Sequence, residues 1–213
     1  LKDIAECVAA RRAGELAFTT LQDSAYRIEL SGFATNFLNM FKNSVGQDKD
    51  TLAALGKALE SIAPLYKDYS AGTDRKVAKA MLKFYRENSA PEKYLTGLGE
   101  DFASMDIDAY VDGLFDSSVF TSTDKLKAAI EAEGTKVLDD PAFTLARSVS
   151  KTLFSDYKTL SEISKKISQA QQVYTAGLME WKKGEPSYPD ANFTMRLTYG
   201  SVKGYSPKDA VTY

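Results

Sequence analysis

Residues 139–183 have the sequence DDPAFTLARSVSKTLFSDYKTLSEISKKISQAQQVYTAGLMEWKK, which predicts one long helix. Asp140 is a good N-cap, and Pro141 suits the first helical position, where a backbone N–H has no intrahelical partner. At the other end, Gly184 favours a left-handed C-cap and Pro186 prevents the helix from continuing. Such a helix spans roughly 65 Å. This length exceeds what a compact domain of this size needs, so we expect the helix to connect parts of the protein that lie far apart.

One face of this helix is predicted to be buried. Apolar or small residues recur in steps of three and four, which is the spacing of a single helical face. The residues of this stripe are Ala146, Val149, Leu153, Tyr157, Leu160, Ile163, Ile167, Ala170, Tyr174, Leu178 and Trp181. The spacing indicates packing along other long helices at a small crossing angle.

Further helices are predicted before this stretch. Residues 2–43 are rich in Ala, Leu, Glu, Lys and Arg and contain no proline, so they favour a second long helix, which Gly14 and Gly32 weaken. Shorter helices are predicted over residues 51–69, 75–87, 92–104, 106–115 and 125–133. The predicted fold class is therefore mainly α, an elongated helical bundle with two long helices.

Cap and turn residues set the boundaries of the shorter helices. Pro64 is expected to kink or end the first of them, Gly72 to close it, and Gly134 to end the last. The candidate N-caps are Asp48 or Asp50, Thr73 or Asp74, and the cluster TSTD at residues 121–124.

Composition limits the partners of the chain. Its 213 residues suffice for one or two domains, and a net charge of -2 gives no basic field that would attract nucleic acid. No apolar run approaches the length of a bilayer span. We therefore predict neither a nucleic-acid partner nor a membrane-spanning helix.

Histidine is absent, which limits the chemistry further. A Ser-His-Asp triad and a Cys-His pair are excluded within this chain, and zinc loses its commonest ligand. Cys7 is the only cysteine, so no internal disulfide can form. We predict no catalytic residue, no metal ligand and no cofactor. A carboxylate-pair hydrolase and a carboxylate-only metal site are left open.

Three features resemble binding sites but favour simpler interpretations. Arg11 and Arg12 would suit a carboxylate or phosphate, yet a solvated helix face with partners such as Glu15 is favoured. The sequence GLG at residues 97–99 lacks the third glycine, the lysine and the preceding strand of a phosphate loop. The acidic residues Asp101, Asp106, Asp108, Asp112 and Asp116 lack the spacing of a calcium loop, which favours solvated helix surface and capping.

The character of the chain changes after Pro186. Residues 193–199 alternate between polar and apolar and are rich in β-branched and aromatic side chains, which predicts a strand. Gly200 then allows a turn, and residues 202–205 favour a return strand. Because one or two strands do not form a stable sheet alone, this segment is expected to be the edge of another domain.

The same segment carries a longer motif. Residues 188–200 have the sequence YPDANFTMRLTYG, and residues 202–205 continue with VKGY. This stretch resembles a signature of the bacterial dipeptidyl peptidases 7 and 11, and the sequence DDPA at residues 139–142 is similar to the same family. The tail motif is specific because of its length, whereas the helical remainder agrees in pattern.

The resemblance implies a serine peptidase with a pair of chymotrypsin-like β-barrels and a large helical domain inserted between their halves. Such enzymes release dipeptides from the free N-terminus of peptides and are exported to the periplasm or cell surface. In the family the catalytic histidine and aspartate lie upstream of the helical insertion, and the nucleophilic serine lies downstream of the strand motif. The resemblance therefore places no catalytic or substrate-binding residue on this chain.

The resemblance also sets the expected domains. Residues 1–186 would form the inserted helical cap, and residues 187–213 the first strands of the returning chymotrypsin-like domain. The cap would narrow or gate the active-site cleft and would be inactive alone. A preference for acidic or hydrophobic residues at the second substrate position is left open, as is a homodimer.

Two other classes of function compete with the cap. A free-standing helical binding or scaffold module without catalysis explains the helices, but it leaves the strand tail without a sheet. An autonomous carboxylate hydrolase needs two acids in one cleft, and the sequence favours no particular pair.

Overall fold

The structure is a computed structural model that describes residues 1–45, 50–99, 101–185, 195, 197–205 and 208–209. These residues are mainly helical, as predicted. The α-helices are α1 (Lys2–Gln22), α2 (Glu29–Val45), α3 (Thr51–Ile62), α4 (Ala71–Asn88), α5 (Ile107–Ser117), α6 (Thr123–Glu133) and α7 (Pro141–Trp181). Short 3₁₀ turns lie at Ala25–Arg27, Ala63–Tyr66, Pro91–Lys93, Val119–Thr121 and Gly134–Asp139. The chain divides into two compact units, residues 1–172 and 173–213, and the boundary falls within α7.

The core of the first unit is built around aromatic side chains. The ring of Phe120 lies between those of Phe37 on α2 and Phe143 on α7, with edge-to-face contacts at centroid distances of 5.4 and 5.2 Å. All three side chains are fully buried. Edge-to-face packing suits the charge distribution of aromatic rings, so this stack fixes the first turns of α7 in the core.

The long helix begins and ends where the sequence predicts. The backbone N–H of Ala142 donates to Oδ1 of Asp140 at 2.8 Å, which is an N-cap interaction. After the last turn, Gly184 has a φ of 98°, the left-handed conformation that glycine adopts without strain. Local cap chemistry therefore sets both ends of α7.

The predicted buried stripe of α7 is wrong at three aromatic positions. Tyr157 is 61% exposed, Trp181 is 79% exposed and Tyr174 is also exposed, while Asp156 is only 3% exposed. A step of three from Leu153, rather than the step of four that the stripe used, puts position 156 on the inner face. Both steps are compatible with a helical face, so hydropathy alone favoured the tyrosine over the aspartate.

The predicted helix over residues 2–43 is wrong, because the structure has two helices there. Helix α1 ends at Gln22 and α2 begins at Glu29. Ser24 leaves the helical conformation at φ -124° and ψ -100°, and its hydroxyl donates to the carbonyl of Thr20. Serine competes in this way for backbone groups, which explains why the chain turns here rather than at a glycine.

Neither glycine that was expected to weaken this region interrupts a helix. Gly14 lies inside α1, where a Cβ would come within 2.9 Å of the Cδ2 atom of Leu160 on α7. At Gly32, inside α2, a Cβ would meet no atom within 4 Å. Gly14 therefore permits a close approach between α1 and α7.

The expected start of α3 is confirmed, but the end predicted at residue 69 with Gly72 closing the helix is wrong, because α3 ends at Ile62 and a 3₁₀ turn follows at Ala63–Tyr66. The expected start of α4 is corrected as well. Asp50 caps α3 through Leu52 N at 3.0 Å, and α3 ends two residues before Pro64. Asp48, the other candidate cap, lies outside the described residues. Helix α4 begins at Ala71 with Ser70 as its cap, so Gly72, Thr73 and Asp74 lie in its first turn.

The helix predicted over residues 92–104 is wrong. Among residues 91–99 and 101–106, which the structure describes, the only helical element is the turn Pro91–Lys93. Gly97 and Gly99 adopt φ values of 78° and 89°, and Leu98 between them is buried in the core. The predicted helices α5 and α6 are confirmed, with Asp106 and Ser122 as their caps.

The strand predicted over residues 193–199 is described in part, since residues 193, 194 and 196 lie outside the described residues. Within the described part of the tail, Met195 and residues 197–205 form no strand, so the return strand predicted over residues 202–205 is wrong. A strand needs a neighbour to pair its backbone groups, which explains why a sequence with strand propensity does not form one alone. The assignment of residues 187–213 to a second domain stays a prediction.

Candidate functional site

The acidic residues of α5 form a ladder of ion pairs with α4. Lys83 Nζ lies 2.7 Å from Asp108 Oδ2, and Lys79 Nζ lies 2.7 Å from Asp112 Oδ1. One turn further, Arg75 pairs with both Asp112 and Asp116. The hydrogen bond from Lys83 holds the pKa of Asp108 below its usual value. These acids stabilise helix packing at the surface, which confirms the interpretation as solvated helix surface.

The other two acids of this region act as caps. Asp106 accepts hydrogen bonds from the first amides of α5, at Asp108 N and Ala109 N. Asp101 accepts from Ala103 N at 3.2 Å in the irregular segment before α5. Both contacts bind backbone groups of the same chain, so neither residue is arranged to bind calcium.

A buried ion pair joins the segment after α4 to α7. Lys93 Nζ lies 2.5 Å from Oδ1 of Asp156, whose side chain is 4% exposed, while that of Lys93 is 34% exposed. Oδ2 of Asp156 has no hydrogen-bond partner among the described residues. Tyr85 donates to the carbonyl of Lys93 at 2.5 Å and fixes the backbone beside the pair. Sequence reasoning missed this pair, because Asp156 falls beside the expected stripe.

Two further buried carboxylates hold elements together. Asp140 caps α7 and also accepts from Ser118 Oγ at 2.8 Å and Val119 N at 2.7 Å. Asp74, in the first turn of α4, accepts from Glu29 N at 3.1 Å and Leu30 N at 2.9 Å, the first amides of α2. A carboxylate bound by backbone amides in this way orders the structure around it.

Four tyrosines of the same unit have hydroxyl groups whose pKa is raised. Burial raises the pKa of Tyr85 and of Tyr110 to about 12. Burial also raises the pKa of Tyr66 and Tyr69, reinforced by the charges of Asp140 and Asp74 respectively. The hydroxyls therefore stay protonated at neutral pH, and that of Tyr66 donates to the carbonyl of Phe120 at 2.8 Å. They stabilise the fold rather than exchange protons.

The described residues offer no metal centre. Within residues 1–45, 50–99 and 101–185 and the described part of the tail, no group of three or more acidic or cysteine side chains could hold an ion. Arg11 donates to Glu15 at 2.7 Å, which confirms the interpretation as a solvated helix face. In the same ranges no helix has the length and apolar character needed to cross a bilayer.

The second unit has an exposed apolar surface. Over the last turns of α7, Val173, Met179 and Trp181 are exposed. In the tail the exposed apolar side chains are Met195, Leu197, Tyr199, Val202 and Tyr205. Met195, Leu197 and Tyr199 alternate along the chain, as on one face of a strand. Exposed apolar side chains of this kind mark an interaction surface, and among the described residues they are the strongest candidate for a functional surface.

Comparisons with known proteins show which family this chain resembles. The profile of the family described as Peptidase S46 matches residues 1–213. Dipeptidyl-peptidase 7 of Phocaeicola vulgatus is 36% identical over 187 residues, which is 83% of this chain and 25% of that protein. The Asp/Glu-specific dipeptidyl-peptidase of Porphyromonas gingivalis is 39% identical over 170 residues, which is 76% of this chain and 24% of that protein.

A solved structure matches the whole chain. The crystal structure of Porphyromonas endodontalis DPP11 in complex with the dipeptide Arg-Glu is similar with a TM-score of 0.66 and 28% sequence identity. The match covers 100% of this chain and 31% of that one. The chain thus spans about a quarter of the length of the curated relatives that it matches.

Proposed function

The chain belongs to the peptidase S46 family, and we propose that it is the helical cap of a serine dipeptidyl peptidase that releases dipeptides from the free N-terminus of peptides. The whole enzyme would supply the catalytic triad, since this chain has no histidine. The cap would narrow access to the cleft, so that chain ends reach the nucleophile and internal segments do not.

The observation that carries this proposal is the exposed apolar tail of the second unit. Met195, Leu197 and Tyr199 are almost fully exposed. Covering such apolar side chains with a sheet removes them from water, which lowers the free energy of the protein. We propose that residues 187–213 pair with the β-barrels of the parent enzyme. A free-standing helical module would gain nothing from such a tail, which favours the cap over that alternative.

The length of helix α7 would allow the helical cap to affect the active-site cleft. Helix α7 begins in the core of the first unit, and its residues from Val173 to Trp181 belong to the second unit. A long helix that ends at the catalytic domain transmits movement of the cap to the cleft, and closure of a cap excludes water during the reaction. Periplasmic or cell-surface location, and a homodimer, belong to the same proposal by family resemblance.

Peptidase assays of the parent enzyme and of the isolated chain test the proposal. Reporter dipeptides with free and with blocked N-termini serve as substrates. We expect the parent to cleave only the free ones and the isolated chain to cleave none. Cleavage by the isolated chain would reveal a catalytic centre within these residues, such as a carboxylate pair, and would overturn the assignment of roles.

A second assay addresses the gating role. A cysteine pair is introduced at the junction of the apolar tail and the parent domain, and the enzyme is assayed with and without the crosslink. We expect the crosslink to slow turnover of short peptides and reduction to restore it. Unchanged turnover in the crosslinked enzyme would rule out cap movement as part of the reaction.

A further inference from the structure

Helix α7 carries a row of cations, with one phenylalanine among them, on the side opposite its buried face. The row lies between residues 147 and 165, which belong to the first unit. At 3.6 residues per turn its members fall within an arc of about 60°. Val149, Asp156 and Ile167, which are buried, lie on the other side of the helix. The row, called the basic ridge below, consists of the exposed residues Arg147, Lys151, Phe154, Lys158 and Lys165.

The charge of the basic ridge is not balanced by neighbouring acids. Between positions 147 and 165 the only acidic residues are Asp156 and Glu162. Asp156 is buried and paired with Lys93, so one exposed acid in this segment stands against four exposed cations. Within the part of the chain that the structure describes, none of these four cations forms an ion pair. The excess of positive charge is local, because the whole chain has a net charge of -2.

The basic ridge differs from an ordinary solvated helix face. On α1 the exposed Arg11 pairs with Glu15, four residues further along, at 2.7 Å. On the basic ridge the residue four positions after Arg147 is a second cation, Lys151. Like charges at this spacing repel each other and destabilise a helix. An anionic surface in contact with the ridge removes this repulsion, which indicates a negatively charged partner.

The shape of the basic ridge favours a flat partner. Its cations extend over about 27 Å of helix, at 1.5 Å per residue, and they face away from the core. Small ligands and peptides are commonly bound in concave pockets and grooves. A convex row of side chains instead contacts a flat surface at several positions at once. A flat, anionic partner of this size is the surface of a lipid bilayer.

The aromatic member of the row supports the same partner. Phe154 is 69% exposed between Lys151 and Lys158. At a bilayer surface an aromatic ring enters the boundary between headgroups and acyl chains, while neighbouring lysines reach the lipid phosphates. An exposed phenylalanine among cations therefore suits a bilayer better than water.

We propose that the basic ridge of α7 binds the surface of a bilayer that contains anionic lipids, as a peripheral contact. The lipid phosphates neutralise the four cations, and the ring of Phe154 inserts at the headgroup boundary. This inference is independent of the cap role proposed above, because its test measures membrane binding and needs no peptidase activity.

Cosedimentation with lipid vesicles tests the proposal on the full-length protein. One set of vesicles consists of phosphatidylcholine, and the other also contains phosphatidylglycerol. We expect binding to the anionic vesicles alone, and we expect it to weaken as salt is added, because ions screen the attraction. Absence of binding to the anionic vesicles, or equal affinity for both sets, would overturn the proposal.

Two variants assign the binding to the basic ridge. Each cation near an anionic surface strengthens binding about fivefold, so Lys151→Gln with Lys158→Gln should weaken binding about 25-fold. Phe154→Ser should weaken binding at high as well as at low salt, since insertion of an uncharged ring is not screened. Unchanged binding in the double lysine variant would contradict the role of the ridge.

A matched double variant controls for net charge. Lys76→Gln with Lys127→Gln removes the same charge from exposed positions on α4 and α6. It should bind anionic vesicles as the unmodified protein does. An equal loss of binding in the two double variants would show that net charge, rather than the ridge, attracts the protein, and the proposal would be wrong.

A soluble polyanion distinguishes a membrane from an acidic protein as the partner. Polyglutamate replaces the vesicles, and its binding to the unmodified protein is compared with its binding to the variant Lys151→Gln with Lys158→Gln. If polyglutamate binds through these lysines and anionic vesicles do not bind, the partner is an acidic protein surface and the proposal of a membrane contact is overturned.

Discussion

The ammonium nitrogen of Lys93 lies 2.5 Å from Oδ1 of Asp156, and this pair fastens the irregular segment after α4 to the middle of α7. The partners differ in exposure, since the carboxylate is buried and the lysine reaches solvent. A buried charge is tolerated only while its partner stays in place. Asp156 can therefore be buried in the folded chain only because Lys93 pairs with it.

Removal of the lysine should destabilise the first unit. We expect Lys93→Met to lower the free energy of unfolding by about 3 kcal/mol, because it leaves the carboxylate of Asp156 buried without a counter-charge. Chemical denaturation followed by circular dichroism measures this change. Lys79→Met is the matched control, since its partner Asp112 is well exposed, and should cost less than about 1 kcal/mol.

The double variant Lys93→Met with Asp156→Leu makes the prediction sharper. Two apolar side chains of similar size remove the charge and its partner together, so most of the lost stability should return. If the double variant is as unstable as Lys93→Met alone, the unpaired charge is not the cause.

Asp140 should be the most costly cap to remove. Its carboxylate binds Ala142 N, Val119 N and Ser118 Oγ, so it fixes the start of α7 and the turn beside Phe120. We expect Asp140→Ala to cost about 3 kcal/mol, because three hydrogen bonds to a charged group are lost. Asp106→Ala removes an exposed cap and should cost about 1 kcal/mol. If both variants lose the same free energy of unfolding, the hydrogen bonds from Val119 and Ser118 to Asp140 contribute nothing to stability.

The buried tyrosines predict a loss of stability in alkali. The pKa of Tyr85 and of Tyr110 is raised to about 12 in the folded chain, above the ordinary value of 10.0. The folded state therefore holds protons that the unfolded state releases, so stability is fully present below about pH 10 and is lost as pH rises toward 12. Unfolding measured at a series of alkaline pH values should show this decline, and Tyr110→Phe should make it shallower. A decline of the same slope in Tyr110→Phe would contradict the role of that hydroxyl.

Because α1 and α7 approach closely at Gly14, replacing Gly14 and Gly32 by alanine should change the stability by different amounts. Gly32→Ala places a methyl group in open space, so it should stabilise the chain by up to about 1 kcal/mol through helix propensity. Gly14→Ala brings a methyl group within 2.9 Å of Leu160 Cδ2, and that side chain must shift. We therefore expect a smaller gain or a net loss at position 14. Thermal unfolding of the two variants compares them, and an equal gain at both sites would contradict the contact between α1 and α7.

The sequence alone determined the elements whose signals are local. Asp140, Gly184 and the proline at 141 set the ends of α7, and Asp106 and Ser122 set the starts of α5 and α6. Each cap binds amides two or three residues away, so its effect can be predicted from the local sequence without any tertiary contact. The tail motif likewise identified the family from consecutive residues, which the match over residues 1–213 confirmed.

The tertiary structure alone decided the features that join distant residues. The first amides of α2 donate to Asp74, which lies far along the sequence, so only the folded chain supplies the acceptor at the start of this helix. Asp156 rather than Tyr157 faces inward because Lys93 lies opposite it. Hydropathy and propensity describe each residue by itself, whereas the free energy of a buried charge depends on the partner that folding brings to it.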